Sequence, residues 1–196
     1  MQVFRGEIKN LIINLPPRYS KTELAVVNFI SWAFGQYPDC EFIHSSYSSA
    51  LATNNSSQIR DMVLHDENKA IFPNLHLKDD SKAKDHWKTT QGGVMYATGA
   101  GGTITGFGAG KLRDGFGGCL ILDDPHKADE ARSDTMRANV INWFTETIKS
   151  ISKPPMWRWI LHPLAYLDFS FSKPPVWRWI TPIFDFNVKD ISKPPV

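Results

Sequence analysis

The stretch "LPPRYSKTE", residues 15–23, decides the fold that the sequence predicts. It follows the apolar run "LIINL" at 11–15 and precedes "LAVVNFISWAF" at 24–34, so a buried strand, a tight loop, a Lys-Thr pair and a helix succeed one another. That order is typical of a phosphate-binding loop, whose turn is normally shaped by glycines. Here Leu15 and Ser20 stand at the two glycine positions of the usual pattern G-x-x-x-x-G-K-[ST]. The loop alone leaves two interpretations open: an unusual nucleotide site, or a basic first turn of a helix.

Length and composition predict one globular domain without a strong charge field. The chain has 196 residues, of which 42% are hydrophobic and 21% charged, as in ordinary globular proteins. Residues 1–150 hold 16 Lys and Arg against 17 Asp and Glu, so charge gives no indication of autonomous nucleic-acid binding. Cys40 and Cys119 lack metal-ligand spacing, and reduced thiols are the simpler interpretation. Since "MQVFRGEIKN" holds no apolar signal core, we expect an intracellular protein without a membrane span.

Strands and helices alternate along the first 150 residues. The apolar runs and periodicities predict strands at 11–15, 41–47, 85–90, 94–98 and 119–124, and helices at 22–36, 48–72 and 136–148. This alternation predicts an α/β fold with a mostly parallel central sheet flanked by helices. Residues 92–118 hold 11 of the 13 glycines, a density that predicts a tightly turning loop with short strands at "VMYAT" and "TIT".

A second apolar run, "CLILDD" at 119–124, supplies the acidic groups that a phosphate loop needs opposite it. Lys21 and Thr22 begin a helix, where backbone N–H groups and the helix dipole attract an anion. The lysine offers charge to phosphate oxygens, and the threonine hydroxyl can ligate Mg²⁺. Asp123 is suited to hold Mg²⁺, and Asp124 to orient and deprotonate water. Each motif is weak by itself, but together and in this order they favour a nucleotide site. The histidines show no metal-ligand spacing.

On these stretches the chain resembles the ATPase half of the large terminase subunit, the DNA-packaging motor of tailed bacteriophages. The likeness covers roughly residues 4–150 and is densest in "LIINLPPRYSKTELAVVNFISW", "EFIHSSYSSALATNNSSQIR", the segment 87–137 and "VINWFTETIKS". In that family the phosphate loop is poor in glycine, Pro-Pro shapes the turn and an arginine is a regular member. The missing glycines are therefore evidence for this family.

The resemblance implies a P-loop NTPase fold that uses ATP and Mg²⁺, and it assigns roles to individual residues. Thr22 and Asp123 would ligate Mg²⁺. Asp124 would be catalytic, as would Arg18, which matches the loop arginine taken to sense or stabilise the γ-phosphate; a planar guanidinium suits phosphate oxygens. The role of the glycine-rich loop stays open between subunit contact, DNA contact and turn geometry. The nucleotide would be bound by Pro17, Arg18, Tyr19, Ser20, Lys21 and Thr22.

The function that the resemblance implies is ATP hydrolysis that drives translocation of viral DNA into the procapsid. The partners would be double-stranded viral DNA, the small terminase subunit, the portal protein of the procapsid and further copies in a homo-oligomeric ring. The compartment would be the host cytoplasm, with the protein encoded by a phage or prophage. The alternatives are an inactive terminase remnant or non-catalytic nucleic-acid-binding or assembly protein, and a helicase-type P-loop motor. The family's nuclease domain has no counterpart here, so we expect no nuclease activity.

The segment 151–196 differs from what precedes it. "ISKPPMWRWI" at 151–160 recurs as "FSKPPVWRWI" at 171–180 and begins again as "ISKPPV", with a period of 20 residues. We expect a partial terminase-type ATPase domain at 1–150, incomplete at its C-terminal end, and a tail at 151–196 that is foreign or disordered. In an alternative interpretation, its Trp-Arg-Trp motifs stack on bases or lie at a membrane interface. The Pro-Pro pairs leave at best short strands or extended segments. Loss of the family's strands beyond residue 150 would leave an exposed sheet edge and apolar surface, so we expect poor solubility.

Overall fold

The computed structural model describes residues 2–5, 7–8, 10–16, 18–104, 106–111, 115–127, 132–148 and 157–163. The chain divides into two compact units, Met1–Leu164 and Ala165–Val196, and every described residue lies in the first. That unit is α/β, as predicted. Among its described residues, no helix is both long and apolar enough to cross a membrane.

Seven strands and four α-helices make up the described fold. The strands are β1 Asn10–Leu15, β2 Glu41–Ser46, β3 Leu77–Lys82, β4 His86–Thr89, β5 Val94–Gly99, β6 Cys119–Asp123 and β7 Trp157–Pro163. The helices are α1 Phe29–Gln36, α2 Ser49–Leu64, α3 Asp66–Ile71 and α4 Asp134–Trp143, with π-helical stretches at Glu23–Asn28 and Phe144–Ile148. The predicted helix 48–72 is divided into α2 and α3, because His65 has an extended backbone (φ −66°, ψ 143°).

The strands form one sheet in the order β1-β7-β6-β2-β5-β4-β3. Four neighbouring pairs are parallel: β1 with β7, β7 with β6, β6 with β2, and β2 with β5. The strand β4 pairs antiparallel with both β5 and β3. The sheet is therefore mixed, and the prediction of a mostly parallel sheet is corrected. The reason is local: β3, β4 and β5 follow one another through short connections, and such connections join antiparallel strands.

The strand β7 lies inside the segment that the sequence assigned to a tail. It pairs in parallel with β1 on one side, with Leu11 opposite Trp159, and with β6 on the other, with Ile121 opposite Trp159. The edge of β6 that faces away from β2 is thus covered by β7. The strand β1 instead lies at an edge of the described sheet, and its side chains alternate between exposed and half-buried. The expectation that "LIINL" is buried on both faces is therefore wrong, and Ile12 is 40% exposed.

The hydrophobic core lies where α1, α2 and the preceding π-helical stretch contact the sheet. The Phe34 ring packs against Phe42 and Trp87, with ring centroids 4.9 and 5.1 Å away. The Trp87 indole N–H donates to Ser56 Oγ at 3.1 Å and so ties α2 to β4 in the interior. Cys40 and Cys119 are buried and not joined in a disulfide, and burial raises the pKa of Cys119 well above its ordinary value.

The described part of the glycine-rich segment is mostly irregular, as its composition predicts. The stretch "VMYAT" lies in β5, whereas Thr103 and Ile104 form no strand and Thr105 lies outside the described residues. Gly118 has φ 119°, and a Cβ atom there would overlap the Glu41 carbonyl oxygen. A side chain at this position would therefore push β6 away from β2 at the point where the two strands begin to pair.

Candidate functional site

The predicted site residues follow the carboxyl ends of parallel strands. The loop 16–20 comes directly after β1, and Asp123 is the last residue of β6. Parallel strands end at the same edge of a sheet, and this edge is where open α/β folds bind their ligands. The residues Lys21 and Thr22 are helical and open the helix that runs back along the sheet. Two segments distant in sequence are thus brought to one place.

Four of the predicted residues form a single polar cluster at this edge. The Thr22 hydroxyl donates to Asp123 Oδ2 at 2.7 Å. The Lys21 ammonium forms an ion pair with Asp124 Oδ1 and lies 3.4 Å from Asp123 Oδ1. The lysine and Asp123 side chains are only 8% and 7% exposed, while Asp124 is 33% exposed. The cluster is therefore buried on the helix side and open toward solvent at Asp124.

The charges of this cluster are unequal, with one ammonium group facing two carboxylates. Asp123 Oδ1 is buried and accepts no hydrogen bond from the described residues, although the Lys21 ammonium lies 3.4 Å away. That ammonium is shared with Asp124, and two carboxylates at a buried site are costly unless further positive charge offsets them. The site therefore has capacity for a further positive group.

The donor set fits Mg²⁺ in the form in which nucleotide sites hold it. Such sites bind Mg²⁺ through one or two carboxylates, hydroxyl oxygen, water and the substrate phosphates. Thr22 Oγ1 and the Asp123 carboxylate offer hard oxygen ligands side by side. The described residues contain no group of three or more His, Cys, Asp and Glu side chains that could hold a metal by themselves. Mg²⁺ bound here would thus need further ligands from water and from the phosphates of a bound nucleotide.

Residues other than glycine adopt the left-handed backbone conformation in the two segments of the site. Among the described non-glycine residues, only Arg18, Ser20 and Asp124 have positive φ, at 67°, 56° and 46°. Ser20 thus adopts the left-handed backbone that the usual glycine at its position would supply. Such conformations cost roughly 1–2 kcal/mol each, and they concentrate at functional sites. All three lie in the two segments that form the polar cluster.

The remaining predicted residues are not drawn into the cluster. Arg18 is exposed, and no hydrogen bond or ion pair joins its side chain to the described part of the chain. Tyr19 is 67% exposed. Ser20 contributes its carbonyl oxygen, which accepts from the Leu24 N–H at 2.9 Å and begins the helix. Pro17 lies outside the described residues. Their predicted contacts with nucleotide stay predictions.

Sequence reasoning missed residues of β2, and the residue directly after it, that border the cluster. The Tyr47 N–H donates to the Asp124 carbonyl at 3.1 Å and fixes the strained residue. His44 is fully buried on β2, and its Nε2 lies 3.1 Å from Asn55 Nδ2 of α2. Burial lowers the pKa of His44 to about 4, against the opposing effect of the Asp123 carboxylate. The available signal was a histidine directly after the apolar pair Phe42-Ile43 of a predicted strand.

Comparison with known proteins adds no assignment. No protein-family model matches the chain, and the search of curated proteins gave no match. The geometry of Lys21, Thr22, Asp123 and Asp124 is therefore what supports a site at this edge.

Proposed function

We propose that this chain is the ATPase motor part of a phage terminase large subunit, a P-loop NTPase that uses ATP and Mg²⁺. The observation that carries the proposal is the cluster in which Lys21 and Thr22 meet Asp123 and Asp124 at the carboxyl edge of the sheet. A cation and a hydroxyl at a helix start, opposite two carboxylates, are what a metal–phosphate substrate requires. The dense sequence resemblance over residues 4–150 supports the family.

Lys21 binds the β- and γ-phosphates in this proposal. Its ammonium is already held at the helix start by carboxylates, and phosphate oxygens replace them when ATP arrives. The helix N-terminus adds favourable backbone N–H groups for the same anion.

Thr22 and Asp123 hold Mg²⁺ beside the phosphates. When bound, the ion neutralises charge that develops on the transferred phosphoryl group. The hydrogen bond between Thr22 Oγ1 and Asp123 Oδ2 keeps the two ligands adjacent before it arrives.

Asp124 orients the attacking water and accepts its proton. It is the more exposed carboxylate of the pair, so it can reach a water on the solvent side. The exposed Arg18 guanidinium closes on the γ-phosphate, where five donors match its oxygens. The energy of hydrolysis drives double-stranded viral DNA into the procapsid. The protein works in the host cytoplasm within a homo-oligomeric ring, together with the small terminase subunit and the portal protein.

The test is nucleotide binding by Lys21→Ala. A Mg²⁺ complex of a non-hydrolysable ATP analogue is titrated into each protein by calorimetry. Loss of a charged hydrogen bond costs roughly 1.5–3 kcal/mol, so we expect about 10- to 100-fold weaker binding. Lys69→Ala is the matched control, because Lys69 is an exposed lysine paired with Asp66 on α3. Equal affinity of Lys21→Ala and the unaltered protein would refute the site.

A further inference from the structure

The outer edge of β1 is an uncharged strand edge at one end of the sheet. Among the described strands, β1 pairs only with β7, so its other side faces away from the sheet. The strand has the sequence "NLIINL", and its Ile12 side chain is 40% exposed. An edge of this kind presents a row of backbone N–H and C=O groups to which another strand can bind. The outer edge of β1 is therefore a candidate surface for a further strand.

The opposite edge of the described sheet has a different composition. Its edge strand β3 has the sequence "LKDDSK", in which four of the six residues are charged. Charges on an edge strand discourage pairing with other chains, and so does proline. Within its span β1 carries neither a charge nor a proline. Of the two edges, only that of β1 has a composition that permits strand pairing.

The sequence of β1 is nearly symmetric about Ile12. Leu11 and Ile13 are its neighbours on the two sides, and Asn10 and Asn14 come next. Two copies of this strand can pair antiparallel about a two-fold axis at Ile12. In that register Asn10 lies opposite the partner's Asn14, and Leu11 lies opposite the partner's Ile13. Every opposite pair then joins side chains of the same kind, amide with amide and aliphatic with aliphatic.

The exposure of the β1 side chains agrees with this register. Asn10, Ile12 and Asn14 are exposed, whereas Leu11 and Ile13 are half-buried. Opposite residues of an antiparallel pair share a face of the sheet, so exposed side chains meet exposed ones across the axis. Two asparagine amides can hydrogen-bond with each other, because each has donors and an acceptor. A shift by one residue would place exposed side chains opposite half-buried ones, and a shift by two would place Ile12 opposite an asparagine.

We propose that the outer edge of β1 binds the same edge of a second copy of this chain, so that two sheets join in a two-fold symmetric dimer. The exposed Ile12 side chains meet at the axis, and the asparagine pairs lie on either side of them. A contact that uses the same surface on both copies closes at two copies. The dimer is therefore distinct from the ring of the proposed function, and it does not depend on the nucleotide site.

The test measures the mass of the full chain by sedimentation equilibrium over a series of concentrations. One short strand from each copy buries less than the roughly 800 Å² per partner of a standard interface, so we expect a weak dimer that dissociates on dilution. The double variant Asn10→Asp with Asn14→Asp places carboxylates opposite each other on both sides of the axis, and opposite like charges are destabilising. We expect its dissociation constant at low salt to be at least about tenfold higher.

A charge-compensated variant tests the register itself. Asn10→Asp with Asn14→Lys has charges at the same two positions, but each introduced carboxylate lies opposite an introduced ammonium of the partner. Its dissociation constant should equal that of the unaltered chain or be lower, because opposite charges across a strand pair attract. Thermal unfolding of each variant, followed by circular dichroism, shows whether charges at these exposed positions leave the fold intact.

Asn54→Asp with Gln58→Glu is the matched control for charge, since both residues are exposed on α2. This variant should leave the dissociation constant unchanged. An unaltered chain that is monomeric at every concentration, or that forms larger open assemblies, would overturn the inference. So would equal dissociation constants of the two-aspartate variant and either the control or the charge-compensated variant. None of these results involves nucleotide, so the proposed function is tested separately.

Discussion

At the scale of single residues, the charged groups of the site pair with one another. The Lys21 ammonium pairs with Asp124, and Asp123 lies 3.4 Å away. These carboxylates satisfy the lysine in a setting where an unpaired charge would be costly. A phosphate must therefore compete with Asp124 for Lys21, and binding of the substrate releases the carboxylate that acts on water in the proposed mechanism.

Asp124→Asn should consequently bind nucleotide more tightly while losing hydrolysis. Removing the carboxylate charge removes the competitor for Lys21, and a charge-assisted hydrogen bond is roughly twice as strong as a neutral one. We expect several-fold to about tenfold higher affinity for a non-hydrolysable ATP analogue, measured by calorimetry. The analogue excludes simple trapping of unreacted ATP as the cause. Asp79→Asn, at an exposed ion pair with Lys82, is the control. Weaker or equal binding by Asp124→Asn would contradict competition for the lysine.

At the scale of elements, β7 decides whether the sheet is complete. Among the described strands, β1 pairs only with β7, and β7 also covers the free edge of β6. Without it, two strands that carry site residues at their ends would both have open edges. Unpaired apolar edges favour aggregation.

Truncation after Ser150 should therefore be far more damaging than truncation after Leu164. The longer fragment keeps β7 and should unfold cooperatively, whereas the shorter one should lose the β1 pairing and aggregate. Thermal unfolding followed by circular dichroism, with gel filtration at matched concentration, measures both effects. If the two fragments have the same midpoint and are both monomeric, β7 does not contribute as its pairing indicates.

The elements that the sequence predicts well are those with apolar runs. Strands β2, β5 and β6 and the helix after the loop are buried, so their patterns follow the core. Strand β3 has the sequence "LKDDSK". Charged residues are common on edge strands, so this strand has no hydrophobic pattern by which it could be predicted. Strand β7 lies between the Pro-Pro pairs, where the sequence allowed short strands at best, but its place between β1 and β6 was not predicted. The sequence predicted that Lys21 and Asp124 belong to one site. The contact of His44 with Asn55 depends on how α2 packs on β2, which no local pattern encodes.

At the scale of the whole molecule, His44 couples folding to pH. Its pKa is about 4 in the folded chain, against an ordinary value of 6.5. The unfolded chain thus binds more protons between these values, and stability falls as the pH drops through that window. From about pH 7 to about pH 5 the loss should be about 2 kcal/mol.

Urea denaturation at the two pH values measures this loss of unfolding free energy. His86, whose pKa is also lowered by burial, acts in the same direction. His44→Gln separates the two residues, because it should remove the larger part of the decrease. A decrease of the same size in His44→Gln would assign the pH dependence to groups other than His44.

The position of β7 late in the sequence also determines when β1 can pair during synthesis. In this chain, Trp157 follows Leu15 by 142 residues, so β1 leaves the ribosome long before its strand partner exists. At roughly 5–20 residues per second, the delay is roughly 7–30 s. During that time the uncharged segment of β1 has no strand partner and is accessible to chaperones and to other nascent chains. The cluster around Lys21 can therefore form only after β7 has been synthesised and has paired with β1.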